Sequence, residues 1–164
     1  MRSGLDFTSL VRAYDDRLRA LAFRLLGDRD RMDDVLQEAY VKAYCAQAQF
    51  TGDADPGTWL YRIVYNACLD DLRSRKRRPT EPLGDRDLPA RAAGADDRFT
   101  ERTRLAAAFD GLSDEQKAVV WLVDVEGFDY ASAGDVLGIA PGTVGSRLSR
   151  AHTVLRQRLG EEER

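Results

Sequence analysis

Histidine, cysteine and long apolar runs are all scarce in this chain of 164 residues, and each scarcity removes a class of function. A single histidine, His152, leaves most metal centres and histidine-dependent catalytic schemes without their residues. Two cysteines, Cys45 and Cys68, cannot build a disulfide framework or a four-ligand zinc site by themselves. The longest unbroken apolar run, Ala118 to Val123, is far shorter than a membrane span needs, so no membrane insertion is expected. No apolar segment follows Arg2 and Asp6, so no secretion signal is read there and a cytoplasmic protein is expected. The chain has no P-loop, no G-x-S-x-G, no H-E-x-x-H and no carboxylate pair that stands out from its general acid content. Neither an enzyme nor a cofactor-dependent protein is expected.

What the chain does have is charge, at 32%, and apolar side chains, at 43%, arranged with helical spacing. This is a folding composition, and the length suits one ordinary domain or two of about 70–80 residues. The formal net charge of −3 argues against a nucleic-acid partner until it is divided by position. Residues 1–78 carry a net +2, residues 79–100 a net −2 and residues 101–164 a net −3. Two segments are sharply basic within that background. Arg73, Arg75, Lys76, Arg77 and Arg78 place five cations in six positions, and Val136 to Gly160 hold four arginines and no acid.

The first block reads as all-helical. Phe7, Leu10, Val11, Tyr14, Leu18, Leu21, Ala22, Leu25 and Leu26 recur at helical spacing, with Gly27 to end the helix and Asp28 to cap the next. The second helix gathers Met32, Val35, Leu36, Ala39, Tyr40, Ala43 and Tyr44 on one face. Asp55-Pro56 opens a third, expected to bury Trp59, Leu60, Ile63, Val64, Ala67, Cys68 and Leu72 while Tyr61, Arg62, Tyr65, Asn66 and Arg73 lie mostly elsewhere. Residues 79–100 hold three prolines and two glycines among acids and read as a flexible acidic linker. Helices are then expected over Thr100–Phe109, Ser113–Val125, Asp129–Leu137 and Pro141–Leu159, with Ser113 and Gln116 forming a capping box. The fold class is therefore all-α, two small helical domains with no convincing strand.

Three segments can carry chemistry. Residues 129–159 read as a helix-turn-helix: a short helix ends at Leu137-Gly138 and a longer one starts at Pro141. Val144, Leu148, Ala151, Leu155 and Leu159 face the core, which turns Thr143, Ser146, Arg147 and Arg150 outward, towards base edges and phosphates if the helix enters a major groove. The same pattern also fits a helical hairpin with a solvated arginine face. In the third helix, rings and an amide beside a cationic tail suit single-stranded nucleic acid, although rings at this spacing equally serve a core. On the second helix Asp33, Asp34, Gln37 and Glu38 form an acidic and amide-bearing face that is either a docking surface or simply solvated.

Taken together, Asp34–Tyr44, Phe50–Arg73 and Leu112–Leu159 resemble, in order and spacing, the extracytoplasmic-function sigma factors of the bacterial sigma-70 family. The resemblance implies a protein that binds RNA polymerase core, recognises a promoter and starts its melting. It implies that residues 1–78 read the −10 element, with Asp34, Gln37 and Glu38 docking on the polymerase. Phe50 and Asn66 would surround a flipped base of the non-template strand, and Arg73, Arg75, Lys76 and Arg77 would hold phosphates. Residues 101–164 would read the −35 duplex through Thr143, Ser146, Arg147 and Arg150, and residues 79–100 would thread towards the RNA-exit path. An anti-sigma factor is an expected partner, because most members of this group have one.

The chain departs from the family pattern in two places. Where the family usually has Tyr-x-Glu-Ile-Ala, Tyr130-Ala131-Ser132-Ala133-Gly134 stands here, and Gly134 inside a helix is expected to cost about 1 kcal/mol relative to alanine. Gly145 replaces a common Lys or Arg, removing one contact to DNA. The alternative reading is a helix-turn-helix regulator acting on duplex operator DNA without polymerase. A chain of this net charge is expected to bind DNA weakly alone, since phosphate neutralisation dominates affinity.

Overall fold

The computed structural model describes residues 4–77 and 97–161, and the chain divides into two compact units with the boundary between Asp87 and Leu88. Among the described residues every regular element is helical.

In the first unit, α1 (Phe7–Leu26), α2 (Arg29–Ala46) and α3 (Pro56–Lys76) pack against one another in all three pairs, and a 3-10 turn, Gln47–Gln49, follows α2. Local chemistry sets the ends. Gly27 takes the left-handed conformation at φ 69°, and its N–H donates to the Phe23 carbonyl at 2.8 Å. One residue later the Asp28 carboxylate accepts from the N–H groups of Asp30 and Arg31, opening α2. Asp55 accepts from the Thr58 N–H at 3.0 Å with Pro56 as the first helical residue. The core holds Leu18, Leu21, Leu36, Leu60, Tyr61, Val64 and Cys68, together with Ala22, Ala39 and Ala43 where helices approach closely.

α3 touches both other helices, so its buried sector is wider than a single seam. Tyr61 and Tyr65 therefore lie inside, at 0% and 3% exposure, and are not the outward rings the spacing predicts. Trp59, Ile63 and Leu72 are only half-buried. Tyr44 is also reversed: it stands 61% exposed at the end of α2, edge-on to Phe7. Polar clamps tie the bundle together. Arg31 pairs with Asp71 of α3 and donates to the Leu26 carbonyl, joining the end of α1, the start of α2 and the C-terminal part of α3. Asp15 accepts from Arg19 at 2.8 Å and from the Tyr40 hydroxyl at 2.7 Å. Burial pushes the Asp15 carboxyl up, but those two hydrogen bonds outweigh it and hold the group below its ordinary range.

The second unit contains α4 (Asp97–Asp110), α5 (Asp114–Val120), a π-helical turn (Trp121–Val125), α6 (Tyr130–Leu137) and α7 (Pro141–Glu161). α4 begins before the predicted Thr100, and most of the predicted linker lies outside the described residues, as does Arg78. The predicted capping box forms: the Gln116 N–H donates to Ser113 Oγ, and the Ser113 N–H donates to Gln116 Oε1. The predicted helix over Ser113–Val125 changes character half-way, where the Glu126 N–H donates to the Trp121 carbonyl. Ala118, Val119, Leu122, Ala133, Val136, Val144, Leu148 and Ala151 fill the core.

Between α6 and α7 the chain turns so sharply that a Cβ on Gly134 would lie 2.6 Å from the Ile139 carbonyl oxygen. The Ile139 N–H in turn donates to the Gly134 carbonyl at 3.0 Å. The expected propensity penalty at Gly134 thus has the wrong sign in context, because any side chain would wedge the turn apart. No helix among the described residues is long and apolar enough to cross a membrane.

Gly134→Ala is expected to lower stability by about 1–3 kcal/mol, the usual cost of overpacking. Denaturant unfolding of the full chain checks it, and a raised midpoint would contradict the close approach. The two thiols should also differ. Burial pushes the Cys68 thiol up to about 12, while Cys45 is exposed. A maleimide should label Cys45 in the native chain and Cys68 only after unfolding, as read by peptide mass.

Candidate nucleic-acid interface

α3 carries one polar line along its solvent side. Positions seven, fourteen and eighteen residues apart fall within about 40° of one another on a helix, so Trp59, Asn66, Arg73 and Arg77 share a face. Asn66, Arg73 and Arg77 are exposed. At the head of this line Phe50 arrives from the loop before α3, its ring 5.2 Å from that of Trp59 and tilted by 50°. Both rings are half-buried, which leaves part of an apolar platform open, and Asn66 lies two turns further along the same face. Asp70 lies on the same line and interrupts its positive charge. The other predicted cations separate from it. Arg75 points about 160° away around the helix and meets Asp71 at 3.9 Å. Lys76 is exposed near the C-terminus, where cations also favour the helix dipole.

On α2, Asp34, Gln37 and Glu38 are all exposed on one face, and Glu38 pairs with Lys42 at 2.9 Å. Asp33, beside them, is drawn to Arg19 of α1 at 2.7 Å. The same face continues into Val41, which is 60% exposed and was not singled out by spacing. An apolar residue one turn beyond Gln37 and Glu38 is the signal that marks it. Tyr44 extends the apolar end of this surface.

In the second unit α7 buries Val144, Leu148 and Ala151 and turns its opposite side outward. Ser146 and Arg150 are exposed, and Thr143 and Arg147 half-buried. Ser146 is steadied by donating to the Thr143 carbonyl at 3.1 Å. On one flank a Cβ at Gly145 would sit 3.1 Å from Tyr130, so the ring of that exposed tyrosine packs onto bare backbone. His152 turns away from this outward face and meets Asp124 of the π turn at 2.6 Å.

Comparison with known proteins identifies the family. The family model "Sigma-70 region 2" matches residues 10–78, and "Sigma-70, region 4" matches residues 102–152. The ECF RNA polymerase sigma factor SigM of Mycobacterium tuberculosis is 39% identical over 156 residues, covering 94% of this chain and 77% of that protein. The chain belongs to the ECF sigma factors. SigE of Mycolicibacterium smegmatis is 36% identical, covering 95% of this chain and 62% of that one. Among solved structures, the sigma factor RpoE in complex with the anti-sigma factor NepR from Bartonella quintana superposes with a TM-score of 0.77. It is 28% identical, covering 94% of this chain and 97% of that one. As an RNA polymerase sigma factor the chain acts in transcription initiation, and each of the two matched regions falls within one of the two units.

Proposed function

We propose that the sigma factor divides its work between the two units. Residues 1–78 dock on polymerase core and open the −10 element, residues 79–100 link, and residues 101–164 read the −35 duplex. The observation that carries this reading is the line on α3, where the Phe50–Trp59 ring pair, Asn66, Arg73 and Arg77 follow one another on a single solvent face. Extruding a base costs a few kcal/mol, and stacking returns about 1–3 kcal/mol per base. A partly open ring platform with an amide two turns along the same face is suited to hold and read an unstacked strand. The cations further along suit the phosphates of the same strand, with Arg75 and Lys76 as outer contacts. A regulator of duplex operators has no use for that arrangement.

Asp34, Gln37 and Glu38 serve as the polymerase-docking face, with Val41 as its apolar centre. On α7, Thr143, Ser146, Arg147 and Arg150 meet the −35 groove, and the missing side chain at Gly145 narrows that contact set. The work is recognition, with no catalytic step and no cofactor, and it takes place in the cytoplasm. RpoE of Bartonella quintana has been solved with an anti-sigma factor, which supports one for this chain as well.

Purified chain added to core polymerase is expected to give promoter-specific run-off transcripts from source-genome fragments, and the reading fails if core polymerase neither binds it nor gains specificity. Within that holoenzyme, Arg147→Ala should weaken dependence on the −35 element. Asn66→Ala should change −10 base preference and opening with little loss of polymerase affinity. Equal losses of polymerase affinity in both variants would remove the assignment of separate sites.

A further inference from the structure

In the second unit a cleft of about 240 Å³ lies between the start of α5 and the outward side of α7, lined by Ser113, Glu115, Gln116, Arg147 and Arg150. The capping box decides what its polar walls present. Ser113 Oγ already accepts from the Gln116 N–H, and Gln116 Oε1 already accepts from the Ser113 N–H. Neither bond uses the hydroxyl hydrogen or the amide NH₂, which stay available as donors. Arg147 and Arg150 add guanidinium donors and make no ion pair among the described residues, nor does Glu115. Four of the five lining side chains thus have N–H or O–H donors to offer, which suits an anion. Glu115 is the exception, and it reduces the cleft's formal charge from two positives to one.

The position narrows the ligand. Arg147 and Arg150 stand one turn beyond Thr143 and Ser146 on the outward side of α7, so an anion in the cleft lies alongside whatever α7 enters. We propose that the cleft seats one phosphate of the DNA backbone flanking the bases that α7 meets, and that the Glu115 carboxylate weakens this contact. The assignment rests on the reading of α7 as the −35 reader. It makes Ser113 and Gln116 positioning residues for DNA, and it makes Glu115 a built-in limit on how tightly the second unit holds duplex. Repulsion between the carboxylate and the phosphate, together with competition for the arginines, is the physical means.

The test uses the full chain assembled with core polymerase on a promoter the holoenzyme selects. Glu115→Gln should tighten binding to the −35 duplex about two- to five-fold, the range of an exposed charge pair. Asp110→Asn, which removes an exposed carboxylate outside the cleft, should change affinity less. A scan of single neutral methylphosphonate linkages then locates the phosphate: at one linkage the gain from Glu115→Gln should vanish. A gain that equals the Asp110→Asn control, or that survives every linkage, overturns the proposal. Inorganic phosphate distinguishes the other source of the same chemistry. If it occupies the cleft tightly, shifting the Arg147 and Arg150 side-chain resonances at micromolar concentration while every methylphosphonate leaves the gain intact, the DNA assignment is wrong. If Arg147→Ala leaves −35 recognition unchanged, the underlying reading of α7 fails. Weakening by Arg147→Ala with no effect of Glu115→Gln rejects only the cleft.

Discussion

Gly134 meets the Ile139 carbonyl where a side chain would otherwise stand, and the shape of the second unit follows from that approach. The turn after α6 can be short only because the backbone closes on itself there, and the short turn fixes the angle at which α7 leaves. With α7 fixed, Val144, Leu148 and Ala151 reach the same core as Ala133 and Val136. The outward residues of α7 then have no freedom to choose another face. A residue type that weakens an isolated helix is here the condition for presenting one.

The first unit solves a different problem by different means. Its three helices all touch, so α3 must be apolar over a wide sector and polar over a narrow one. The narrow sector is where Asn66, Arg73 and Arg77 line up. Tyr61 and Tyr65 belong to the wide sector, and Tyr61 meets Tyr14 edge-on at 5.9 Å and 88°. Arg31 and Asp71 join α2 to α3 at the cationic end, holding that end of α3 in place while its solvent side stays open.

Much of this could be read from residue order, because helix ends are local chemistry. Gly27 with Asp28, Asp55 with Pro56, and Ser113 with Gln116 each act within a few residues, and each does what its spacing predicts. The family resemblance likewise stands on motifs spread over both units. What spacing could not show depends on partners distant in sequence. Periodicity finds the centre of a buried face, not its width, so spacing alone puts Tyr61 and Tyr65 off the buried face and Tyr44 on it. The meeting of Phe50 with Trp59 depends on the path of a loop, and the π turn at Trp121–Val125 has no side-chain signature. Gly134 looked costly because propensity scales assume an isolated helix, whereas the decisive atom belongs to Ile139.

The nearest-neighbour order of the helices also has a kinetic side. In the first unit α1, α2 and α3 are consecutive and mutually packed, and in the second α6 closes directly onto α7. Chains dominated by such short-range contacts cross their folding barriers in microseconds to milliseconds, far faster than a ribosome adds residues. All three helices of the first unit precede α4 in sequence, so the unit can close without waiting for the second. The exposed Val41 and Tyr44 then emerge on a finished helix face, not on an open chain that could stick to its neighbours.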